Sequence, residues 1–414
     1  MASMEQSRCV SASLRKPEVL PLPIYDPAFK ANPYLFYSQL RRDGRDLAWV
    51  ELPNGIRAWL VVGFEASRSL LSDPRLSRDS SFAGADFHRR HPTRQTPLFQ
   101  HLLTFDPPTH TRLRALVQRD FTKRNIDALR PRITLFSEEL LSAITLKSKF
   151  DLIEDFARPL PLRVICEILG TPMSDEHVFR RWSALLTTAD ADEQDLAQAA
   201  GAELREYLLN LAAVGPRQQS LFGLLVSRHR AGELTIEELV GMGFLLLVAG
   251  HETTVNLIGN GALALLADGQ AWRKLAQGEL PAAAVVEELL RAESPLEVST
   301  PLFAREPISL GDETIECGDT VFISYGAANR DDRLFQRPEM LDFGREKAQQ
   351  HLAFGHGIHH CLGARLARTE GEIALHHLAR CFPDLALDCH VRDLVWRPGL
   401  YMRGLRALPL ITGI

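Results

Sequence analysis

The sequence predicts a mainly α protein with a minor β region, folded as one large domain. Three observations carry that reading. From Pro108 to about Arg291, apolar residues recur at helical spacing through a series of long amphipathic segments. From Pro295 to Phe343 the texture changes to short β-like runs, such as Thr320–Ser324. No internal repeat, low-complexity linker or obvious boundary divides the 414 residues.

In chain order, residues 1–27 carry Pro17, Pro21 and Pro23 and read as an extended arm ahead of a single domain over 28–414. Helical spacing begins at Pro33 and continues to Arg42. Trp49–Leu52 and Ala58–Val62 look like a strand pair joined by a turn at Pro53–Asn54–Gly55. Between Asp79 and Leu103 the chain is irregular, with Phe82, Phe87 and Phe99 set among His, Arg, Pro and Gln. A loop of that length inside a compact domain tends to be functional. The helical stretch beyond it breaks near Lys147–Lys149, at Gly170–Pro172 and around Gly215–Pro216. Turns at Gly311–Asp312 and Gly318–Asp319 punctuate the β region, and a last helix runs from about Leu362 to Cys381.

Hydrophobic residues at 45% and charged residues at 24% are the balance of a globular protein rather than a disordered one. A net charge of −5 gives the whole molecule no pull toward nucleic acid or an anionic membrane. The six cysteines include no Cys-x-x-Cys pair, which argues against a disulfide framework or a structural zinc site and for a reducing compartment. The N-terminal residues lack the apolar core of a signal peptide or membrane anchor, and the most apolar run, Leu239–Ala249, is too short to span a bilayer. The expectation is a cytoplasmic protein.

The segment Phe354–Ala364 reads FGHGIHHCLGA and directly precedes the amphipathic pattern Leu362, Leu366, Ile373, Leu378. Cys361 therefore stands at a helix N-terminus, where orphan amides and the helix dipole favour a thiolate. Gly355 and Gly357 permit positive φ, so a tight turn can lie flat against a large partner. A lone cysteine before a helix is most often just a small buried hydrophobe. His356, His359 and His360 add metal-binding chemistry, but residues so close in sequence cannot easily surround one ion, and zinc sites gather ligands at wider spacing.

Other clusters point to chemistry. In Ala249-Gly250-His251-Glu252-Thr253-Thr254, Thr253 can hydrogen-bond the carbonyl of residue 249 and loosen that turn. Glu252 and Thr253 supply an acid and an alcohol, as ordered proton delivery requires. Glu288 and Arg291 share a helix face at a spacing that is most often a solvated surface pair. Pro108 opens a helix on which His110 and Arg114 share a face, two donors suited to carboxylates. Arg112, Arg119, Lys123 and Arg124 add a basic stretch whose plain reading is a solvated face.

The pattern Phe354-x-x-Gly357-x-His359-x-Cys361-x-Gly363 matches the haem-binding signature of the cytochrome P450 family at each fixed position, and the sequence is identified as a member on it. The Ala249–Thr254 segment resembles the family's oxygen-activation motif at a fitting distance upstream. Glu288-x-x-Arg291 with Arg345, Asn32-Pro33-Tyr34 and Trp59–Arg78 extend the resemblance over nearly the whole chain. Within the family it is similar to soluble bacterial members acting on polyketides, macrolides and related natural products.

That resemblance implies a single prism-shaped domain with haem b (iron protoporphyrin IX) between two long helices. Cys361 would be the axial ligand and the metal's protein ligand, with Phe354 beside it and Gly363 in the same loop. His110, Arg114 and His359 would face the haem propionates. Ala249 and Gly250 would leave room above the iron, with Glu252 and Thr253 delivering protons. Glu288, Arg291 and Arg345 would be structural. The implied reaction inserts one oxygen atom from dioxygen, by hydroxylation or epoxidation, into a small-molecule organic substrate. Electrons would come singly from a ferredoxin-type donor with its reductase, docking near Arg112, Arg365 and Arg368. Neither nucleic acid nor a membrane anchor is implied.

Substrate contacts by family position fall to the 79–103 loop, Leu245, Val248, Ala249, Leu296–Ser299 and Leu400–Tyr401. Two alternatives are a peroxide-driven haem enzyme of the same fold, against which Glu252 and Thr253 argue, and a non-catalytic haem-binding sensor, which would need neither Thr253 nor a substrate-shaped loop at 79–103. One departure stands out. Many members carry a propionate-binding arginine where this chain has Leu302, and strand alternation turns Arg305 to the opposite face. The expectation is that Leu302 meets the haem edge as an apolar group.

Overall fold

The structure is a computed structural model that describes residues 16–90, 97–188, 194–217 and 219–412. The helices of the first half are α1 (Pro27–Ala31), α2 (Tyr34–Arg42), α3 (Phe64–Leu70), α4 (Ala85–Arg90), α5 (Thr109–Val117), α6 (Lys123–Ile144) and α7 (Pro159–Leu169). They continue as α8 (Glu176–Thr188), α9 (Gln194–Val214), α10 (Leu221–Arg230), α11 (Ile236–Ala267) and α12 (Gly269–Gln277). The last three are α13 (Ala282–Ala292), α14 (Tyr325–Ala328) and α15 (Ala364–Cys381). A sheet in the order β1-β2-β3-β9-β6-β4 is built from β1 (Leu20–Pro21), β2 (Leu47–Glu51), β3 (Arg57–Val61), β4 (Leu76–Ser77), β6 (Leu302–Ala304) and β9 (Thr320–Ile323). Strand β5 (Lys149–Asp151) joins β10 (Ala386–Leu387) and β11 (Pro409–Ile411), and β7 (Ile308–Leu310) pairs with β8 (Glu313–Ile315). The mainly helical expectation with a minor β region is met.

Helix α11 is the spine. Thr235 caps it with a reciprocal capping box to Glu238, and most of its residues are buried. By length and composition it is one helix apolar enough to cross a membrane, a longer apolar element than the eleven-residue run suggests. Its burial inside the protein marks it as a core helix instead. Helix α15 packs against α11 at Gly371, where a Cβ would stand 2.8 Å from Leu257. That close approach sets the cysteine loop, which feeds α15, against the spine. One apolar cluster joins α6, α7, α11, α12, α13 and α15; two others flank the sheet.

The sheet explains several differences from the sequence reading. The hairpin β2–β3 pairs Trp49 with Trp59, and Gly55 takes φ +78° in the turn, as the alternation predicts. Leu20 and Pro21, placed by pattern in a loose arm, add a parallel strand to β2, and Leu22 and Ile24 are buried in the core. The run is too short to show alternation, so only its pairing reveals it. Part of the 79–103 loop is helical (α4), and residues 91–96 of it lie outside the described residues. The break at 147–149 is completed by β5, whose partner β11 lies more than 250 positions away. Cys317 is disulfide-bonded, a link the scattered spacings do not suggest, whereas Cys166, Cys361, Cys381 and Cys389 are free.

Candidate active site

The cysteine loop is shaped by backbone. Gly355 and Gly357 hold φ of +69° and +72°, and a Cβ on Gly357 would stand 2.8 Å from the Leu71 carbonyl oxygen. The Cys361 amide donates to the Phe354 carbonyl at 2.8 Å, closing the loop ahead of α15, whose N-cap is Gly363. Leu362 packs on the cluster that contains Phe244, Leu247 and Val248 of α11. The loop thus sits between α15 and the spine. Cys361 is surface-exposed, yet burial is the largest influence on its thiol and pushes it up. Those two facts together describe a side chain lining an internal recess. Against burial act the Gly363 amide and the charges of Arg114 and Arg368, which favour the thiolate. Beside it, the Arg368 guanidinium lies 4.5 Å over the Phe354 ring and pairs with Glu287.

A second wall gathers donors. His110 of α5 is buried, and its ring centroid is 4.4 Å from that of His359. His110 Nε2 and both ring nitrogens of His359 are buried with no hydrogen-bond partner. Burial holds the His359 imidazole down at about 2, helped by the charges of Arg78, His110 and Arg114. Arg114 Nη2 donates to the His360 carbonyl at 2.9 Å, so it also ties α5 to the cysteine loop. Arg78, which the sequence reading did not assign, belongs to the same group. Nothing local in the sequence marks it; only strand pairing brings it there.

The third wall is α11. Leu245, Ala249 and Thr253 follow one another at four-residue spacing; Ala249 is exposed and Leu245 and Thr253 half-buried. Thr253 Oγ1 donates to the Ala249 carbonyl at 3.3 Å, as expected. One expectation needs correction. Gly250 does not make room beside Ala249: a Cβ there would stand 2.9 Å from Ile165 Cδ1, so its small size serves packing against α7. Glu252, adjacent to Thr253, is fully buried. Its carboxylate accepts from Arg397 Nη1 at 2.6 Å and Arg158 Nη1 at 3.2 Å, with His251 Nε2 at 3.6 Å. Burial alone would raise its pKa, but the neighbouring His251 imidazole and the charges of Arg397 and Arg158 hold it well below the usual carboxylate range. Arg158 and Arg397 come from distant segments, so the sequence showed only the adjacent Thr253.

Glu288, Arg291 and Arg345 form the buried triad expected of them. Arg291 clasps Glu288 through two bonds of 2.8 and 2.7 Å and donates to the carbonyls of Asn329 and Pro338 at 3.0 and 2.9 Å. Arg345 Nε reaches Glu288 at 3.2 Å. The triad pins the strand-rich segment to α13 and does no chemistry.

A family model described as Cytochrome P450 matches residues 216–384. The chain is 41% identical over 409 residues to "Cytochrome P450 monooxygenase PikC" of Streptomyces venezuelae, covering 97% of this chain and 96% of that protein. The chain belongs to the cytochrome P450 family. It is 38% identical over 369 residues to the "6-deoxyerythronolide B hydroxylase" of Saccharopolyspora erythraea, covering 86% and 90% of the two chains. Among solved structures it matches a myxobacterial cytochrome P450, CYP267B1, in complex with myristic acid, at 39% identity, a TM-score of 0.89 and coverage of 95% and 100%. It also matches the tirandamycin C-bound P450 monooxygenase TamI at 39% identity, a TM-score of 0.88 and coverage of 96% and 100%.

This P450 is thus a monooxygenase, an oxidoreductase of a family whose cofactor is haem-thiolate. Its own residues fit such a group. An unblocked cysteine faces a recess, two glycines keep the loop backbone low, and unsatisfied imidazole donors gather on one wall. The segments expected to contact substrate also converge. The Glu297 amide donates to the Tyr401 carbonyl at 2.7 Å, Leu296 bridges Met402, and Phe99 packs on Phe244 with ring centroids 5.8 Å apart. Val298, by contrast, is fully buried in the sheet-side core, so of that segment the half-buried Leu296 is the better-placed contact.

Proposed function

We propose that this cytochrome P450 binds haem b through Cys361 and inserts one oxygen atom from dioxygen into a polyketide- or macrolide-like small molecule. The observation that carries the reading is the accessible Cys361 in a loop that packs on α11 through Leu362 and whose His359 ring lies 4.4 Å from that of His110. Bound there, haem with a thiolate ligand supplies dioxygen activation. His110, Arg114 and His359 suit its carboxylates, and Phe354, Gly363 and Ala249 shape the space around it. Thr253 is the proton-handling group, since its hydroxyl is already polarised by the Ala249 carbonyl. Glu252, locked between two arginines, acts by fixing the α11 turn rather than by giving up a proton. The apolar lining from Leu245 and Leu296 excludes water and suits a largely hydrocarbon substrate.

Electrons come from a ferredoxin-type donor and its reductase in the cytoplasm. Of the cations expected to dock it, Arg112 pairs with Glu238, Arg365 with Asp127 at 3.6 Å, and Arg368 with Glu287. Their attraction is thereby muted, which leaves the exposed Arg119, Lys123 and Arg124 of the α5–α6 turn as the stronger pull on an acidic partner. Turnover of a macrolide panel with a surrogate ferredoxin and reductase, compared with peroxide alone, tests the proposal. Product that needs the protein donor supports it. Equal product from peroxide alone, or haem binding with no turnover under either condition, points to one of the two alternatives.

A further inference from the structure

Lys30, next to the last residue of α1, is 1% exposed and ranks among the largest side chains that the protein closes off from water. An ammonium taken out of water has to be paired and hydrogen-bonded. Its nitrogen has three protons to give, and the fold supplies three acceptors. One is Glu297 Oε2 at 2.6 Å, in an ion pair whose two side chains are each 2% exposed. The others are the main-chain carbonyls of Gly399 at 3.0 Å and Met402 at 3.3 Å. The second oxygen of Glu297 accepts from the Tyr37 hydroxyl of α2 at 2.6 Å.

Those acceptors lie on the two segments that converge beside Leu296. Residues 295–297 and 399–403 run next to each other: Leu296 bridges Met402, the Glu297 amide donates to the Tyr401 carbonyl at 2.7 Å, and the Arg403 amide to the Pro295 carbonyl at 3.0 Å. A ribbon this short is marginal by itself. Lys30 reaches across it, holding the side chain of one segment and two carbonyls of the other. Arg403 ties the ribbon back to α1, donating to the Lys30 carbonyl at 2.7 Å. The Glu297 carboxylate is thus turned toward α1 and α2, while its neighbour Leu296 packs on the apolar cluster that contains Leu302 and Tyr325. Apolar side chains could fill the place of a buried ion pair at lower desolvation cost. What the ammonium adds is a fixed spacing between oxygens on two separate segments.

We propose that Lys30 is a positioning residue for the substrate. Through Glu297 and the carbonyls of Gly399 and Met402 it sets the distance between Leu296 and the 400–402 segment, and with it the bulk of the group that fits beside Leu296. The inference rests on the proposed substrate site, of which Leu296 is a wall, and adds a control from outside it. Lys30 itself, closed off beneath both segments, touches no substrate.

The test uses two iron ligands of different bulk, imidazole and phenylimidazole, titrated into the ferric holoprotein and followed by the shift of the Soret band. Imidazole reads the metal alone; the phenyl ring also reads the walls around it. Wild type, Lys30→Met and Lys30→Met/Glu297→Gln are compared, with Tm measured on each. Met alone strands the buried Glu297 carboxylate and lowers Tm. Adding Gln removes the stranded charge, keeps an acceptor for the Tyr37 hydroxyl and restores part of Tm, but leaves the Gly399 and Met402 carbonyls unheld. The ratio of the two dissociation constants should shift roughly tenfold in both variants and stay shifted as Tm recovers, since a misplaced wall acts on a bulky ligand as a misfitted methylene does. A wild-type ratio in the double variant would overturn the inference, leaving Lys30 as the counter-charge of Glu297. Equal weakening of both ligands would overturn it too, making Lys30 a brace for the fold as a whole. Should the neutral pair fail to fold, Glu297→Asp keeps both charges and draws the carboxylate back by one methylene; an unchanged ratio there has the same force. A wild-type chain without a thiolate-type spectrum, or one whose Soret band neither ligand moves, would instead defeat the underlying reading of the site.

Discussion

Replacing Glu252 with glutamine removes the carboxylate shared by Arg158 and Arg397 while keeping the side chain's shape. All three side chains are nearly inaccessible, with exposures of 0%, 8% and 7%. Breaking a buried pair on one side leaves uncompensated charge and costs about 3–5 kcal/mol. Arg158 retains Glu154 at 3.3 Å, which favours the lower end of that range. Unfolding entropy near 2.1 cal/mol/K per residue, over 414 residues, gives roughly 0.9 kcal/mol/K, so about 3 kcal/mol lowers Tm by about 3–4 °C. The assay is calorimetry on the ferric holoprotein, paired with product formed per electron consumed. The pH dependence has a definite sign. A carboxyl held below its unfolded value contributes stability above the ordinary Glu range and loses it as pH falls through the folded value. The Tm gap between wild type and Glu252→Gln should therefore be full at pH 7 and narrow below about pH 4.3. Arg397→Met in the Glu252→Gln background should recover part of the loss, because it removes one stranded charge. An unchanged Tm accompanied by collapse of coupled turnover would refute this reasoning and return Glu252 to the role of proton donor.

Three further outcomes follow from the same geometry. Thr253→Ala should bind substrate normally but divert reducing equivalents to peroxide; an unchanged ratio of product to electrons consumed would remove Thr253 from proton handling. Gly250→Val should destabilise by about 1–3 kcal/mol through overpacking on Ile165, with Ile165→Ala relieving it; a neutral thermal scan would show that α7 yields freely. First-electron transfer from an acidic ferredoxin should slow as salt rises, since exposed charges are screened within about 8 Å at physiological ionic strength. A salt-independent rate would argue against electrostatic docking at the α5–α6 turn.

What was legible in the sequence was what short segments encode. The cysteine loop, its two positive-φ glycines, the Thr253 turn and the His110/Arg114 face are each specified within a dozen residues, and each folds as the pattern implies. What stayed hidden depends on residues that meet only through folding. Glu252 looks like a free acid until Arg158 and Arg397 arrive from 94 and 145 positions away. Arg78 is an ordinary basic residue until β4–β6 register sets it opposite Leu302. Gly250 and Ala249 read alike as small residues, and only the packing of α7 separates a contact with Ile165 from an open face. Short strands such as β1 and β5 carry too few residues for alternation to register.

The central claim is that Cys361 is the thiolate ligand of a bound haem. It is tested most directly by the ferrous–carbon monoxide difference spectrum of the wild-type chain and of Cys361→His, prepared side by side. The account predicts the red-shifted, thiolate-type absorption for wild type and its complete loss in the variant, with any haem that remains showing an imidazole-type spectrum. A wild-type chain without the thiolate band, or a variant that keeps it, would contradict the assignment of the site.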